Sequence, residues 1–170
     1  MPAEYLIISS SLRPGSHSRL LAQALAKELG SAVEWVDLRD FPLPICDGEA
    51  AYSDPNVAKL SAKISAARVI LVATPIYNFD ANAAVKNLVE LTGSAWENKI
   101  VGFACAAGGA LSYMSVMSLA NSLMLDFRCV IIPRFVYATG DDFADGKIAS
   151  PELTKRLKQL AEAAAKLRNS

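Results

Sequence analysis

The sequence predicts one α/β domain in which a parallel sheet carries helices on both faces. Its 170 residues are 52% apolar and 20% charged, which suffices for one core and excludes a disordered chain. Five apolar segments follow one another along the chain, and stretches of helical period separate them. Strands and helices that alternate in this way normally form a parallel sheet. Since no linker or internal repeat is visible, we expect residues 1–170 to form a single domain.

The five predicted strands are short apolar runs whose composition predicts their order in the sheet. They are Tyr5–Ser9, Val33–Leu38, Arg68–Thr74, Ile100–Ala106 and Val130–Tyr137. The first and third runs have fully apolar centres, as expected for strands buried on both faces. Charged residues interrupt the second run and Pro133 interrupts the fifth, so both are predicted to lie at sheet edges. The resulting five-stranded order, 2-1-3-4-5, is that of a flavodoxin-like three-layer sandwich.

Capping residues and apolar stripes predict the helices that follow these strands. A helix over Ser18–Leu29 places its leucines on one face and stops at Gly30. Later helices each follow a residue that can cap an N-terminus, and these residues are Asp54, then Asp80 or Asn82, then Ser150. Proline comes directly after Asp54 and Ser150, at the first helical position, where it is favoured.

Charge and cysteine content exclude several functional classes. Seventeen basic residues balance seventeen acidic ones, so no basic excess is available to bind nucleic acid. No apolar run approaches the about 20 residues of a membrane span, and the N-terminus lacks the basic start of a secretory signal. We therefore expect a cytoplasmic protein with no membrane partner. Cys46, Cys105 and Cys129 are widely spaced and His17 is the only histidine, so we expect neither a metal site nor a disulfide framework.

The loop after the first strand has the composition of a phosphate-binding site. Residues 9–18 contain five serines and Arg13, and neither Asp nor Glu occurs between Tyr5 and Lys27. The loop leads into a helix N-terminus, where free backbone N–H groups and the helix dipole attract anions. Serine hydroxyls and a guanidinium add donors that suit a phosphate monoester. The alternative is a serine-rich turn that only caps the helix.

Two further loops are predicted to meet the first one at the carboxyl edge of the sheet. After the third strand, a proline, two aromatic rings and an amide in residues 75–79 could hold a planar, partly polar ring. After the fourth strand, Gly108 and Gly109 would let the backbone approach a ligand closely. Each segment alone could equally be core or a tight turn. Their convergence on one crevice at the switch point of the sheet is the stronger indication of a binding site.

These three segments resemble the motifs of the NAD(P)H-dependent FMN reductases, a family of flavodoxin-like fold. The family carries a G-S-x-R-x-x-S-x-N loop, a T-P-E-Y-N segment and an S-x-G-G turn at about these spacings, and the resemblance covers residues 4–137. The matching residues are Ser11, Arg13, Ser16, Thr74, Pro75, Tyr77, Asn78, Gly108 and Gly109. The sequence departs from the pattern where Ser10 replaces Gly, Ser18 replaces Asn, Ile76 replaces Glu and Ala106 replaces Ser.

The resemblance implies an enzyme that binds FMN, oxidises NADPH or NADH as co-substrate, and passes electrons by ping-pong hydride transfer to free flavin, a quinone or an azo compound. It assigns the serine-rich loop to the phosphate, the segment after the third strand to the ribityl chain and ring, and the glycines to the pyrimidine edge. The predicted cofactor-binding residues are Ser11, Arg13, Ser16, His17, Ser18, Pro75, Ile76, Tyr77, Asn78, Phe79, Ala107, Gly108 and Gly109. The alternatives are a flavodoxin-type electron carrier, which the neutral charge disfavours, and a flavin-free binding module.

No side chain is predicted to act as a general acid or base. The only histidine lies in the phosphate loop, and no carboxylate occurs in the three loops before Asp80. Cys105 lies on a predicted core strand, where a thiol normally only packs. Hydride transfer between two bound rings depends on stacking and distance rather than on proton transfer.

The uncharged segment Ala110–Leu125 predicts self-association. Its apolar side chains cover most of the circumference of a helix, whereas packing on a sheet requires only one stripe. The excess indicates a second buried face, and the family resemblance also implies a homodimer or homotetramer. The alternative is that the C-terminal helix covers this face within one chain.

Overall fold

Parallel strands form the central sheet of the computed structural model, which describes residues 4–168. The strands are β1 (Tyr5–Ser9), β2 (Val33–Asp37), β3 (Val69–Tyr77), β4 (Asp80–Ala81), β5 (Ile100–Ala106), β6 (Val130–Ile131) and β7 (Val136–Ala138). Their order is β2-β1-β3-β5-β6, and β7 also pairs with β5 in parallel. The predicted α/β class and strand order are confirmed.

The prediction of one continuous fifth strand is wrong, because two short strands occupy its range. β6 ends at Ile131 and β7 begins at Val136. The N–H of Ile132 still donates to the carbonyl oxygen of Val101 in β5 at 2.8 Å, and the chain leaves the sheet after it, over residues 133–135. The N–H of Arg134 donates to the carbonyl oxygen of Ile132 at 2.7 Å, which closes a tight turn around Pro133. Because proline has no N–H to offer a ladder, the strand breaks where it stands.

The third strand is longer than predicted, since it continues past Thr74 to Tyr77. Its extension pairs with β5 as far as the Pro75–Ala106 position and then with the antiparallel β4. β1 and β5 have the predicted bounds, and β2 ends one residue early, at Asp37. A second, two-stranded sheet consists of β8 (Phe143–Ala144) and β9 (Lys147–Ile148).

Helices cover both faces of the central sheet. One face carries α1 (His17–Leu29) and α5 (Pro151–Lys166), and the other carries α2 (Pro55–Ala66), α3 (Ala83–Thr92) and α4 (Met117–Phe127). At Gly102 of β5, an added Cβ would lie 2.8 Å from a methyl of Leu71 and 3.1 Å from a methyl of Leu160. This glycine therefore allows α5 to approach the sheet closely. None of the helices within residues 4–168 is long and apolar enough to cross a membrane.

The predicted helix caps are formed at two of the three later helices. Asp54 accepts a hydrogen bond from the N–H of Asn56 at 2.7 Å, and Ser150 accepts one from Leu153 at 3.1 Å. The prediction that a side chain of Asp80 or Asn82 caps α3 is wrong, since neither makes a capping hydrogen bond. Asn82 is the N-cap residue by its backbone, but its amide makes no capping hydrogen bond and is engaged elsewhere.

The predicted helix over Ala110–Leu125 is also only partly correct. Residues 110–112 form a short 3-10 turn, and α4 begins at Met117. The C-terminal helix α5 lies on the opposite face of the sheet, so it does not cover α4. Large apolar side chains of this segment remain exposed, with Leu111 at 89%, Met114 at 58% and Leu125 at 76%.

Candidate active site

A cleft of about 710 Å³ opens at the carboxyl ends of β1, β3 and β5. Its lining consists of Arg13, Ser16, His17, Ser18, Pro75, Ile76, Tyr77, Asn78, Ala106, Ala107, Gly108 and Gly140. Three predicted residues, Ser11, Phe79 and Gly109, do not line it. Gly140, just after β7, lines it although the sequence offered no signal for it. The three predicted loops therefore meet in one crevice.

The wall built from the β1–α1 loop is organised by Arg19, a buried residue that sequence reasoning missed. Its guanidinium donates to the carbonyl oxygens of Ser11 at 3.2 Å, Arg13 at 3.1 Å and Pro14 at 2.7 Å. It also makes two hydrogen bonds with the carboxylate of Asp37, at 2.8 and 3.1 Å. Arg19 thus occupies carbonyl oxygens that would otherwise repel an anion bound at this loop.

Asp37, at the end of β2, is shared by two guanidinium groups. Arg39 donates to the same carboxylate from the other side, at 3.0 Å. Burial raises the pKa of Asp37, but hydrogen bonds from Arg39 and Arg19 outweigh it and hold the pKa below the ordinary value of 3.8. The position of Asp37 could have been predicted from the sequence. It is the last residue of an edge strand and the register partner of Ser9, so its carboxylate lies next to the start of the β1–α1 loop.

The end of the cleft formed by the β1–α1 loop contains hydrogen-bond donors, and no carboxylate lines it. The hydroxyls of Ser16 and Ser18 share a hydrogen bond of 2.7 Å, and Ser16 makes no capping bond to α1. The imidazole of His17 stacks on the ring of Phe143, with centroids 4.0 Å apart. Ser11 faces inward instead, where its hydroxyl accepts a hydrogen bond from the N–H of Arg13 at 3.3 Å. Ser11 therefore shapes the loop rather than lining the cleft.

The aromatic wall follows β3 and ends in a tight hairpin. Ile76 is buried, whereas Tyr77 is half exposed at the mouth of the cleft. Asn78 and Phe79 link β3 to β4 with φ values of 50° and 64°. Such a two-residue loop suits Asn followed by Gly, and a phenylalanine in the left-handed region is strained. Phe79 is 66% exposed at the hairpin tip and points its ring outside the cleft lining.

The glycine wall follows β5 and leaves open space. A Cβ added to Gly108 or Gly109 would meet no atom within 4 Å, and neither glycine has a positive φ. The carbonyl oxygen of Gly109 accepts a hydrogen bond from the hydroxyl of Tyr137, whose ring packs edge-on against Tyr113. Gly108 lines the cleft, and Gly109 does not.

The buried cysteines have no features of a nucleophile. Burial raises the pKa of Cys105 to about 12 and that of Cys129 to about 11. A thiol with such a pKa is protonated near neutral pH and reacts slowly. The structure thus agrees with the expectation that Cys105 only packs in the core.

Comparison with known proteins decides the family. Residues 4–144 match the model of the NADPH-dependent FMN reductases. The chain belongs to this family. This match confirms the predicted family, the predicted oxidoreductase activity and FMN as the cofactor of the family.

Two relatives, 28% and 29% identical to this chain, align with most of its length. An FMN reductase (NADPH) of Pseudomonas aeruginosa is 28% identical over 98% of this chain and 92% of its own length. An NAD(P)H-dependent FAD/FMN reductase of Geobacillus thermodenitrificans is 29% identical over 76% of this chain and 71% of its own length. The solved structure of FerB, a flavoenzyme NAD(P)H:(acceptor) oxidoreductase of Paracoccus denitrificans, superposes with a TM-score of 0.77 at 21% identity, covering 94% of this chain and 93% of FerB. At that identity the superposition establishes the shared fold.

Proposed function

We propose that the protein is a cytoplasmic, single-domain oxidoreductase that holds FMN in the cleft, oxidises NADH or NADPH and reduces a small acceptor. The observation that carries the proposal is the cleft itself. One end is a donor-rich loop at a helix N-terminus, without a carboxylate in its lining, and the other end is open and lined by aromatic and backbone groups. A flavin mononucleotide has the same division into a dianionic phosphate and a planar ring.

The residues present fit that cofactor. Arg13, Ser16, Ser18 and the backbone of His17 would hold the phosphate by charge-assisted hydrogen bonds and the helix dipole. Residues 75–78 would contact the ribityl chain and ring, and the space left free by Gly108 would admit the pyrimidine edge. Ser11 supports this site from inside the loop through its hydrogen bond to Arg13.

Bound FMN supplies the ring that takes up and returns the electrons. The role of the protein is to orient that ring and to keep its open face accessible. Among the residues that line the cleft there is no carboxylate or thiol, and the single imidazole lies at the phosphate end, stacked on Phe143. We therefore propose that no side chain serves as a general acid or base and that nucleotide and acceptor use the same face in turn.

The names of two relatives support small conjugated acceptors. An NADPH azoreductase of a Bacillus species is 26% identical over 91% of this chain, and an NADPH:quinone oxidoreductase of Arabidopsis thaliana is 30% identical over 90% of it. Quinones and azo compounds are planar and could stack at a mouth that carries Tyr77. Assays with a quinone, an azo dye and free FMN, each with NADH and with NADPH, would rank the acceptors.

The test of the proposed function is flavin binding. The purified protein should be yellow or become so on adding FMN, and FMN should bind far more tightly than riboflavin, which lacks the phosphate. Arg13→Ala should weaken FMN binding by about 1.5–3 kcal/mol, the range for hydrogen bonds to charged groups, with riboflavin binding little changed. Equal affinity of the wild-type protein for both flavins would refute the phosphate assignment.

We also propose that the protein is a homodimer or a pair of dimers. Leu111, Met114 and Leu125 are exposed to solvent in one chain, and a separate apolar groove of about 590 Å³ is lined by residues that include Leu12 and Ile45. Apolar patches of this kind usually mark an interface, and two-fold dimers are the commonest assembly. A monomeric mass by light scattering at micromolar concentration would contradict the proposal.

A further inference from the structure

A buried polar cluster joins the start of the β1–α1 loop to β3, next to two of the walls of the cleft. Its centre is Asn82, the N-cap residue of α3, which is only 5% exposed. The amide oxygen of Asn82 lies 2.8 Å from the hydroxyl of Ser10 and 3.1 Å from the hydroxyl of Thr74. Its amide nitrogen donates to the carbonyl oxygen of Ser10 at 2.8 Å. Ser10 and Thr74 are themselves fully buried.

The donors and acceptors of the cluster fix the orientation of the amide. Ser10 carries a carbonyl oxygen, which only the amide nitrogen can satisfy, so the amide oxygen must face the two hydroxyls. The hydroxyl of Ser10 has one proton, and the amide oxygen of Asn82 is nearer to it than the carbonyl oxygen of Ala73, at 3.3 Å. Each polar group of the Asn82 side chain is therefore used within the cluster.

The two partners of Asn82 lie where two walls of the cleft begin. Ser10 follows β1 and is the first residue of the β1–α1 loop. Thr74 directly precedes the lining segment that starts at Pro75. None of the three cluster residues lines the cleft, so none would touch a ligand there. The cluster can act on a ligand only through the loops it connects.

We propose that Asn82 is a positioning residue that sets the start of the phosphate loop relative to the strand that carries the ring wall. This inference rests on the proposed function, because it names the residue that holds the proposed FMN site in shape. An asparagine at an N-cap usually accepts a hydrogen bond from its own helix. Here the side chain makes no such bond and instead links Ser10, the first loop residue, 72 residues away in sequence, to Thr74 of β3.

The experiment compares Asn82→Ala and Asn82→Ser with wild type by fluorescence titration with FMN and with riboflavin. A serine is a favoured N-cap residue for α3 but is too short to bridge the cluster, so Asn82→Ser decides the question if the alanine variant is poorly folded. Asn87→Ala is the matched control. That amide lies on the same helix and makes two hydrogen bonds, against three for Asn82: it accepts from the N–H of Cys46 at 2.9 Å and donates to the carbonyl oxygen of Pro44 at 2.8 Å, and neither partner lines the cleft.

Both Asn82 variants should bind FMN about tenfold more weakly, the effect of about one hydrogen bond, and should bind riboflavin within about twofold of wild type. Asn87→Ala should leave both affinities unchanged although it loses two side-chain hydrogen bonds of its own. A folded Asn82→Ser protein that prefers FMN over riboflavin as strongly as wild type would overturn this inference and leave the proposed function intact. A wild-type protein that does not prefer FMN would overturn both.

Discussion

Arg19 is the residue whose removal should most damage the proposed phosphate site. Its guanidinium makes hydrogen bonds with three loop carbonyls and with the carboxylate of Asp37, and the side chains of Arg19 and Asp37 are only 10% and 5% exposed. Replacement by alanine removes all of these contacts at once. Asp37 would keep Arg39 as its only cationic partner.

The expected loss of stability follows from this geometry. Removing one partner of a buried ion pair costs about 3–5 kcal/mol. In the variant, Arg39 still pairs with Asp37, and water can solvate the carbonyls of the exposed loop residues. We therefore expect the free energy of unfolding to fall by about 3 kcal/mol, the lower end of this range. The free energy of unfolding of a typical protein is about 5–15 kcal/mol, so the variant should still fold. Its melting temperature should fall by roughly 6–12 °C.

The assay is chemical and thermal unfolding of flavin-free Arg19→Ala beside wild type, followed by titration with FMN. Arg39→Ala is the control. The guanidinium of Arg39 binds the same carboxylate, but its hydrogen bonds do not reach the loop carbonyls, so the FMN affinity of this variant should stay near wild type. Arg19→Lys should recover only part of the loss, since an ammonium cannot reproduce the planar fork of donors. An Arg19→Ala protein within 1 kcal/mol of wild type, with unchanged FMN affinity, would refute the assigned role.

Three further predictions concern the acid limb of stability, the strained hairpin and the chemistry. Because the pKa of Asp37 in the folded protein lies below 3.8, its stabilisation is present above that value and is lost as the pH falls toward the lower folded-state pKa; unfolding curves between neutral and acid pH should show this, and Asp37→Asn should flatten the slope. Phe79→Gly should raise stability by about 1 kcal/mol by relieving the left-handed strain, and a lower melting temperature would contradict that. Cys105→Ser and His17→Ala should change kcat little, whereas a loss of more than about a hundredfold in either, with FMN still bound, would reveal an overlooked catalytic side chain; parallel double-reciprocal plots of the wild type should accompany this result.

Local signals in the sequence were sufficient for much of the fold. β1 and β5 have the predicted bounds because strands buried on both faces are apolar along their whole length. Asp54 and Ser150 cap their helices as predicted, since a cap depends only on residues within one turn. The cleft lies where expected because parallel strands in this order bring the loops that follow them to one edge.

Contacts between distant segments decided the rest. Pro133 was recognised as unfavourable in a strand, but only the pairing of β6 and β7 with β5 showed that the strand breaks there and resumes. Asn82 had the sequence position of a helix cap, and its amide instead found two buried hydroxyls that its neighbours in sequence do not provide. A side chain with several polar atoms takes the partners that burial leaves it, and those partners are set by packing.

The proposed site shows the same division. The sequence determined which residue types stand at the strand ends, and therefore the donor-rich, carboxylate-free character of the phosphate loop. Only the tertiary structure decided that Arg19, paired with Asp37 18 residues away, binds the carbonyls of that loop, and that Ser11 and Gly109 do not line the cleft. Composition is a property of the chain, whereas the direction in which a side chain points depends on which hydrogen bonds the folded core must satisfy.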